Sequence, residues 1–271
     1  MKRSHLSART EQTYAREIKR FQSQFEKLQG IALRDARDQD LRSYLRRYAS
    51  LEQATTSGLR LHVAAIKHYF ARQGRSLSVD LPYPEARPEP VRVLAPAELT
   101  RLFDGTRMHV CGLMLRLVYG AGLRLQEVTR ILVGDIDHER GYMRVRGDRD
   151  LVTHTTIFPD CLRYDVIRQG QGRASDAILF SLREQEGRGP LPVARRTVQH
   201  FLSGATARLK LGRITVQTLR DNFAIALLRR GIDPRYVASF MGYRSGRALG
   251  RYQSACPVDQ IRIMSPLQTS D

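Results

Sequence analysis

Five prolines, Pro82, Pro84, Pro88, Pro90 and Pro96, crowd the stretch from Ser76 to Pro96. Proline lacks a backbone N–H, and its ring collides with the preceding helical turn, so no continuous helix crosses this region. Proline also stiffens the stretch into a spacer, unlike a Gly/Ser tether. A chain of 271 residues is long enough for two separate cores. The run therefore divides it into an amino-terminal part (residues 1–80), a linker (81–96) and a carboxy-terminal part (97–271). Pro96 suits the first turn of a new helix, with Glu98 close to that helix's positive end.

The first part reads as helical. Tyr14, Ile18, Phe21, Phe25 and Leu28 recur at steps of four and three, the stripe of a helix facing a core. Leu41, Tyr44, Leu45 and Tyr48 mark a shorter helix, and Leu59, Val63, Ile66 and Phe70 a third. Arg60, Lys67 and Arg72 lie off the apolar stripe of the third helix, where they can meet phosphate or simply face solvent.

In the second part, helices are expected near 97–105 and 109–121. Gly122 breaks the pattern, which restarts near Leu125. Residues 142–147 and 151–158 read as two strands around an Asp148-Arg149-Asp150 turn. Further helices are expected near 161–169, 192–209 and 218–230. Gly231 is placed as a cap, and Asp233-Pro234 opens the next helix. The fold class is mainly α: a helical domain, then a mostly helical domain with a small antiparallel sheet.

Charge narrows the function. The formal net charge is +18 and the excess is spread along the chain, which argues for basic surfaces on folded domains. A polyanion is the natural partner, and no segment resembles an amphipathic membrane anchor, so nucleic acid is expected. Cys111, Cys161 and Cys256 show neither zinc spacing nor a disulfide framework, which implies a reducing cytosol. The seven histidines form no ligand cluster, so no metal and no cofactor are expected. No apolar run of signal-peptide or membrane-spanning length is seen.

Three short stretches carry chemistry: Gly122-Leu123-Arg124-Leu125-Gln126-Glu127, Gln217-Thr218-Leu219-Arg220, and Met241-Gly242-Tyr243 followed by Tyr252. Phosphoryl transfer needs charge neutralised on two non-bridging oxygens. The planar, permanently charged fork of arginine provides this. A tyrosine oxygen can attack the phosphorus and store the bond energy in a phosphotyrosine. A proton donor is needed for the departing 5′ oxygen.

These residues stand in boxes that closely resemble those of the bacterial tyrosine recombinases, of the Xer, integron and phage integrase kind. The resemblance runs from Leu6-Ser7-Ala8-Arg9-Thr10 and Tyr14 through Ala121–Glu127 and Asp135-Ile136-Asp137. It continues in Leu219-Arg220, Phe223-Ala224, Leu227-Leu228 and Gly231, and ends at Tyr252. It implies a core-binding (SAM-like) domain followed by a catalytic domain, clamping opposite faces of double-stranded DNA. Four protomers would hold two sites and exchange strands without metal or ATP. Arg124 and Arg220 would grip the scissile phosphate, Glu127 would buttress the first arginine, and Tyr252 would be the nucleophile. Thr56, Arg60, Lys67 and Arg72, with Arg149, Arg195 and Arg196, are the candidates for DNA contact. A bacterial, cytoplasmic protein associated with the nucleoid is implied.

Three positions depart from the family's pattern. Asp148 follows Gly147 in the hairpin turn where a lysine is usual, and a carboxylate there would repel phosphate. Gln217 opens the second box in place of histidine; it can donate a hydrogen bond but cannot shuttle a proton. Tyr243 replaces a histidine or tryptophan; it can bond the phosphate but exchanges protons poorly at neutral pH. Clamping is thus retained while proton transfer is weakened, a change worth about 10²–10⁴ in rate. His154, in the second strand, is a possible substitute donor, or else it packs or faces solvent. Three functions remain open: a site-specific recombinase, a non-catalytic DNA-binding protein on the same scaffold, and a topoisomerase sharing the chemistry. The apolar patch of Ile261, Ile263 and Met264 could dock on a neighbouring protomer or fold back on its own domain.

Overall fold

The computed structural model describes residues 8–49, 56–75, 77, 90–147, 150–181 and 191–255. Asp148, Arg149, the first prolines of the linker and the tail carrying Ile261, Ile263 and Met264 lie outside the described residues. Two compact units result, Met1–Pro88 and Glu89–Asp271.

In the first unit, α1 (Ala8–Gln29), α2 (Asp38–Ala49) and α3 (Thr56–Arg72) follow the apolar periodicity. Phe21, Phe25, Leu41, Tyr44, Leu45, Leu59, Val63, Ile66 and Phe70 form one core. Leu28 departs from expectation: it is 49% exposed, in the last turn of α1, just before Gly30 (φ +69°) redirects the chain. The buried stripe of α1 ends at Phe25. A polar residue that the periodicity did not single out, His62, is interior to α3. Its ring stacks on Tyr48 at 4.7 Å between centroids, and its Nδ1 lies 3.3 Å from a carboxylate oxygen of Glu17.

The second unit begins with residues that belong to its core. The Leu94 N–H donates to Asn222 Oδ1 (2.8 Å), Asn222 Nδ2 donates to the Arg92 carbonyl (2.8 Å), and Leu94 is buried. Helix α4 (Pro96–Asp104) starts at Pro96, with Glu98 accepting from the Ala95 N–H at 2.9 Å. Helix α5 (Val110–Ala121) is largely buried and packs against α4, α8 (Arg195–Arg208) and α9 (Val216–Arg229). The short α6 (Leu125–Val128) restarts the chain after Gly122.

The expected hairpin is present as β2 (Tyr142–Arg146) and β3 (Val152–Ile157), paired Met143 to Thr156 and Val145 to His154. A third strand, β1 (Ile136–Asp137), adds to β2 with Ile136 opposite Met143, giving an antiparallel sheet of order β1-β2-β3. Two residues are too short to show alternation, which is why no strand was expected there. Asp135 anchors this sheet: it is 1% exposed and accepts from Arg146 Nε and Nη2 at 2.8–2.9 Å. Helix α7 (Arg163–Gly170) follows the sheet. Helix α9 ends ahead of Gly231 (φ +79°), and Asp233 caps α10 (Pro234–Phe240) by accepting from the Arg235 N–H at 2.7 Å. A 3-10 stretch, Gly246–Ala255, carries Tyr252 onto α9 and α10. The architecture is the mainly α one expected.

Candidate active site

Two glycine turns and one buried helix build the site. Gly122 ends α5 in the left-handed region (φ +68°), and a Cβ there would lie 2.5 Å from the ring of Phe223, so the turn requires glycine. Its carbonyl accepts from Arg220 Nε at 2.7 Å. Two residues on, Arg124 stands at the N-terminus of α6. There Glu127, 6% exposed, holds it twice: Oε2 accepts from the Arg124 backbone N–H and Oε1 from Nη1, both at 2.6 Å. The carboxylate thus caps the helix and fixes the guanidinium with one side chain. The Arg124 side chain keeps 37% of its surface exposed.

Helix α9 opens with Thr215 and Thr218 capping each other's N–H groups at 3.0 and 3.2 Å. One turn in, Arg220 is 3% exposed. Beyond its bond to Gly122, its Nη2 donates to the Met241 carbonyl (2.6 Å) and its Nη1 to the Tyr243 hydroxyl (3.0 Å). The guanidinium carbons of Arg124 and Arg220 sit 5.5 and 5.0 Å from the centroid of the Tyr243 ring. One phenol therefore collects both cations.

Gly242 (φ +63°) makes the second turn, and a Cβ on it would meet His154 Cε1 at 2.6 Å. His154 of β3 accordingly sits against the turn between Met241 and Tyr243. Burial holds its imidazole pKa below the usual value, and the charges of Arg124 and Arg220 push the same way against Glu127. This imidazole is predominantly neutral at pH 7.

Tyr252 is fully buried, and its hydroxyl donates to Asp221 Oδ1 at 2.8 Å. Burial, then the hydrogen bond and charge of Asp221, then Tyr243, all drive its pKa upwards, so the resting group is a phenol. Asp221, 4% exposed, also accepts from Gln217 Nε2 on the same oxygen (2.7 Å) and from Arg251 Nη2 on the other (3.3 Å).

Of the residues singled out from the sequence, Arg124, Glu127, Arg220 and Tyr243 meet directly. Tyr252 joins them through Tyr243 and bonds separately to Asp221. The Gln217 amide, named from the sequence as a hydrogen-bond donor, donates to Asp221. Arg195 and Arg196 are exposed in the first turn of α8, and Arg60, Lys67 and Arg72 are exposed on α3. Thr56 opens α3, with its side chain outside the described residues, as are Asp148 and Arg149. Asp221 was not singled out. Its signal was present as a Gln–Asp pair at the i, i+4 spacing that joins side chains along one helix face. Among the described residues no group of His, Cys, Asp and Glu could hold a metal ion, and no helix is long and apolar enough to cross a membrane.

Both guanidiniums lie against the ring of Tyr243, with the Tyr252 phenol alongside, in a mostly helical domain preceded by a small helical one. Residues 92–256 match the phage integrase family, and residues 1–73 match its N-terminal SAM-like domain. The chain belongs to the phage integrase family of tyrosine recombinases. It is 27% identical to the tyrosine recombinase XerA of Pyrococcus furiosus over 192 residues, covering 69% of this chain and 66% of XerA. It is also 27% identical to an integrase/recombinase of Escherichia coli over an alignment of 308 residues, covering 97% of this chain and 89% of that protein. Among solved structures, the Tn1549 transposon integrase in complex with transposon right end DNA shares the fold with a TM-score of 0.71 at 16% identity, covering 92% of this chain and 90% of the integrase. XerH bound to a palindromic difH substrate gives 0.71 at 15% identity, covering 91% of this chain and 76% of XerH.

Proposed function

We propose that this protein is a site-specific recombinase that binds double-stranded DNA, cleaves one strand through a 3′-phosphotyrosine on Tyr252 and rejoins it to another. Arg124 and Arg220 bind the non-bridging oxygens of the scissile phosphate. Three of the five N–H groups of Arg220 are bonded to Gly122, Tyr243 and Met241, which fixes the fork while leaving donors for the phosphate. Tyr243 accepts from Arg220 and turns its own proton to a phosphate oxygen. Glu127 keeps Arg124 in register. The observation that carries this reading is the gathering of both guanidiniums on the Tyr243 ring, with the Tyr252 hydroxyl interacting with the same tyrosine.

DNA is the substrate that fits a net charge of +18, and exposed Arg60, Lys67, Arg72, Arg195 and Arg196 supply phosphate contacts. If about eight phosphates are neutralised, the slope of log K against log salt is near −7. The related integrases and XerH are held on DNA in their solved complexes, and a lambda integrase tetramer is bound to a Holliday junction. By likeness, four copies of this chain assemble on two sites.

A duplex nicked beside the scissile phosphate tests the proposal, because the released fragment diffuses away and traps the covalent complex. The expected result is a protein–DNA adduct that disappears in Tyr252→Phe while DNA binding persists. Tight binding with no adduct from the wild type supports the second reading, a DNA-binding protein on the recombinase scaffold. One observation favours that second reading: Tyr252 is 0% exposed and hydrogen-bonded inward. Cleavage therefore requires DNA binding to bring the phosphate to the phenol or the phenol to the phosphate.

A further inference from the structure

We infer that Asp221 is the proton acceptor for Tyr252 during strand cleavage, an inference that rests on Tyr252 being the nucleophile. A phenol cannot complete a bond to phosphorus while it keeps its proton. In this site burial and a neighbouring carboxylate hold that proton in place, so a free phenolate is rarer here than in water. The proton must leave as the new bond forms, to an acceptor already in line.

Asp221 meets that requirement. Its Oδ1 lies 2.8 Å from the Tyr252 hydroxyl and already accepts its proton in a hydrogen bond. Tyr243 also interacts with the phenol, but its oxygen accepts from the Arg220 cation at 3.0 Å, which leaves it poorly basic. Arg251 faces the phenol as a cation 5.5 Å from the ring centroid and can accept nothing. Asp221, Tyr243 and Arg251 meet Tyr252, and Asp233 and Arg247 line the same cavity as its ring.

The carboxylate is held for this work from two sides. Gln217 Nε2 bonds the reacting oxygen at 2.7 Å, and Arg251 Nη2 approaches the other oxygen at 3.3 Å. These donors fix the carboxylate and offset its charge, which would otherwise repel an incoming phosphate. They also give Gln217 a task suited to an amide, that of positioning the base. The step balances without a further reagent. The Tyr252 oxygen forms its bond to phosphorus and its proton passes to Asp221 Oδ1. The bond to the 5′ oxygen breaks with its electron pair, and that oxygen takes a proton from solvent. In rejoining, the 5′ hydroxyl attacks and gives its proton back to solvent, while Asp221 returns the other proton to the departing phenol oxygen.

The test is Asp221→Asn on the nicked duplex, since asparagine keeps a carbonyl beside the phenol but cannot take its proton. Adduct formation is expected to slow by about 10²–10⁴ while DNA binding is not weakened. A 5′-bridging phosphorothiolate, whose sulfur leaves without a proton, should leave this defect in place. Restoration of the rate by that substrate would assign Asp221 to the leaving group and overturn the inference. Adduct formation at or above the wild-type rate would do the same, because Asp221 would then merely latch the phenol. Should the variant fail to fold, the wild-type pH profile decides. A base already bonded to the phenol gives a rate that does not follow hydroxide concentration, whereas a rate climbing about tenfold per pH unit requires a free phenolate and excludes the base. Absence of any wild-type adduct overturns the nucleophile and the base together; a normal adduct in Asp221→Asn overturns the base alone.

Discussion

The two units bury different things. Among the described residues, the first hides one polar or charged side chain, His62, beneath aromatic and aliphatic neighbours. The second hides ten, including Glu127, Asp135, Arg220, Asp221 and Asn222. Interior apolar groups stabilise by leaving water and need no particular partner. Interior charges cost free energy unless every lone pair and N–H is matched, so they persist where their geometry has a use. The first unit is built for packing. The second carries, through its core, the polar network that the proposed chemistry needs.

The largest expected effect in the first unit comes from removing packing. Phe25 is fully buried and stacks on Phe21 at 5.4 Å and edge-on to Tyr44 at 5.6 Å. Phe25→Ala should cost about 3–5 kcal/mol of unfolding free energy, measured by urea denaturation, and an effect below about 1 kcal/mol would mean that this core is not a single packed cluster. The matching change in the second unit is Arg220→Ala. It strands the buried Gly122 and Met241 carbonyls and should cost roughly 2–3 kcal/mol, somewhat less than Phe25→Ala. Its adduct formation on the nicked duplex should fall by about 10²–10³. The comparison breaks if Arg220→Ala is destabilised without losing cleavage, because the buried cation would then be structural only.

The same contrast decides what could be read before folding. Helices α1, α2 and α3 each present one apolar stripe to one core, so their periodicity names Phe21, Phe25, Tyr44, Val63 and Ile66 directly. Gly122, Gly231 and Asp233-Pro234 were legible because a left-handed residue or a capped N-terminus leaves a local mark. Helix α9 defeats the stripe. Residues 219–225 are buried on every side, between α5 on one flank and α10 and the 3-10 stretch on the other. Arg220, Asp221 and Asn222 therefore read as a polar surface although they are interior. Arg220 was found through its box and Asp221 was not. The burial of Tyr252 was equally hidden, since its sequence neighbours Arg251, Gln253 and Ser254 are polar and only packing on α9 and α10 makes it interior. His154 could be named from the hairpin, but its place against Gly242 depends on how β3 meets α10.

A smaller effect tests the one polar intruder in the first unit. Burial lowers the pKa of His62, outweighing the opposing charge of Glu17, with Arg20 adding to the fall. The folded state therefore favours the neutral ring. The stability tied to it is present above the unfolded value near 6.5 and is lost as pH falls from there through the folded pKa, at about 1.4 kcal/mol for each unit of displacement. Unfolding free energy compared between about pH 7.5 and pH 5 should decline in the wild type, and less steeply in His62→Asn. A wild type that gains stability on acidification relative to the variant would instead make the 3.3 Å contact with Glu17 an ion pair, and the first unit would contain a buried charge after all.

The smallest effect belongs to Leu28. Periodicity extends the apolar stripe of α1 to this residue, yet it is 49% exposed and lies beyond the buried Phe25. Little surface is removed from water there, so Leu28→Ser should change stability by no more than about 0.5 kcal/mol. That value sharpens the comparison by giving the limit of the first unit's core: one turn from Phe25, the same residue class contributes almost nothing. A loss above about 1 kcal/mol would mean that Leu28 is covered in solution. The stripe read from the sequence would then mark α1's contact surface more faithfully than the exposure of this chain alone.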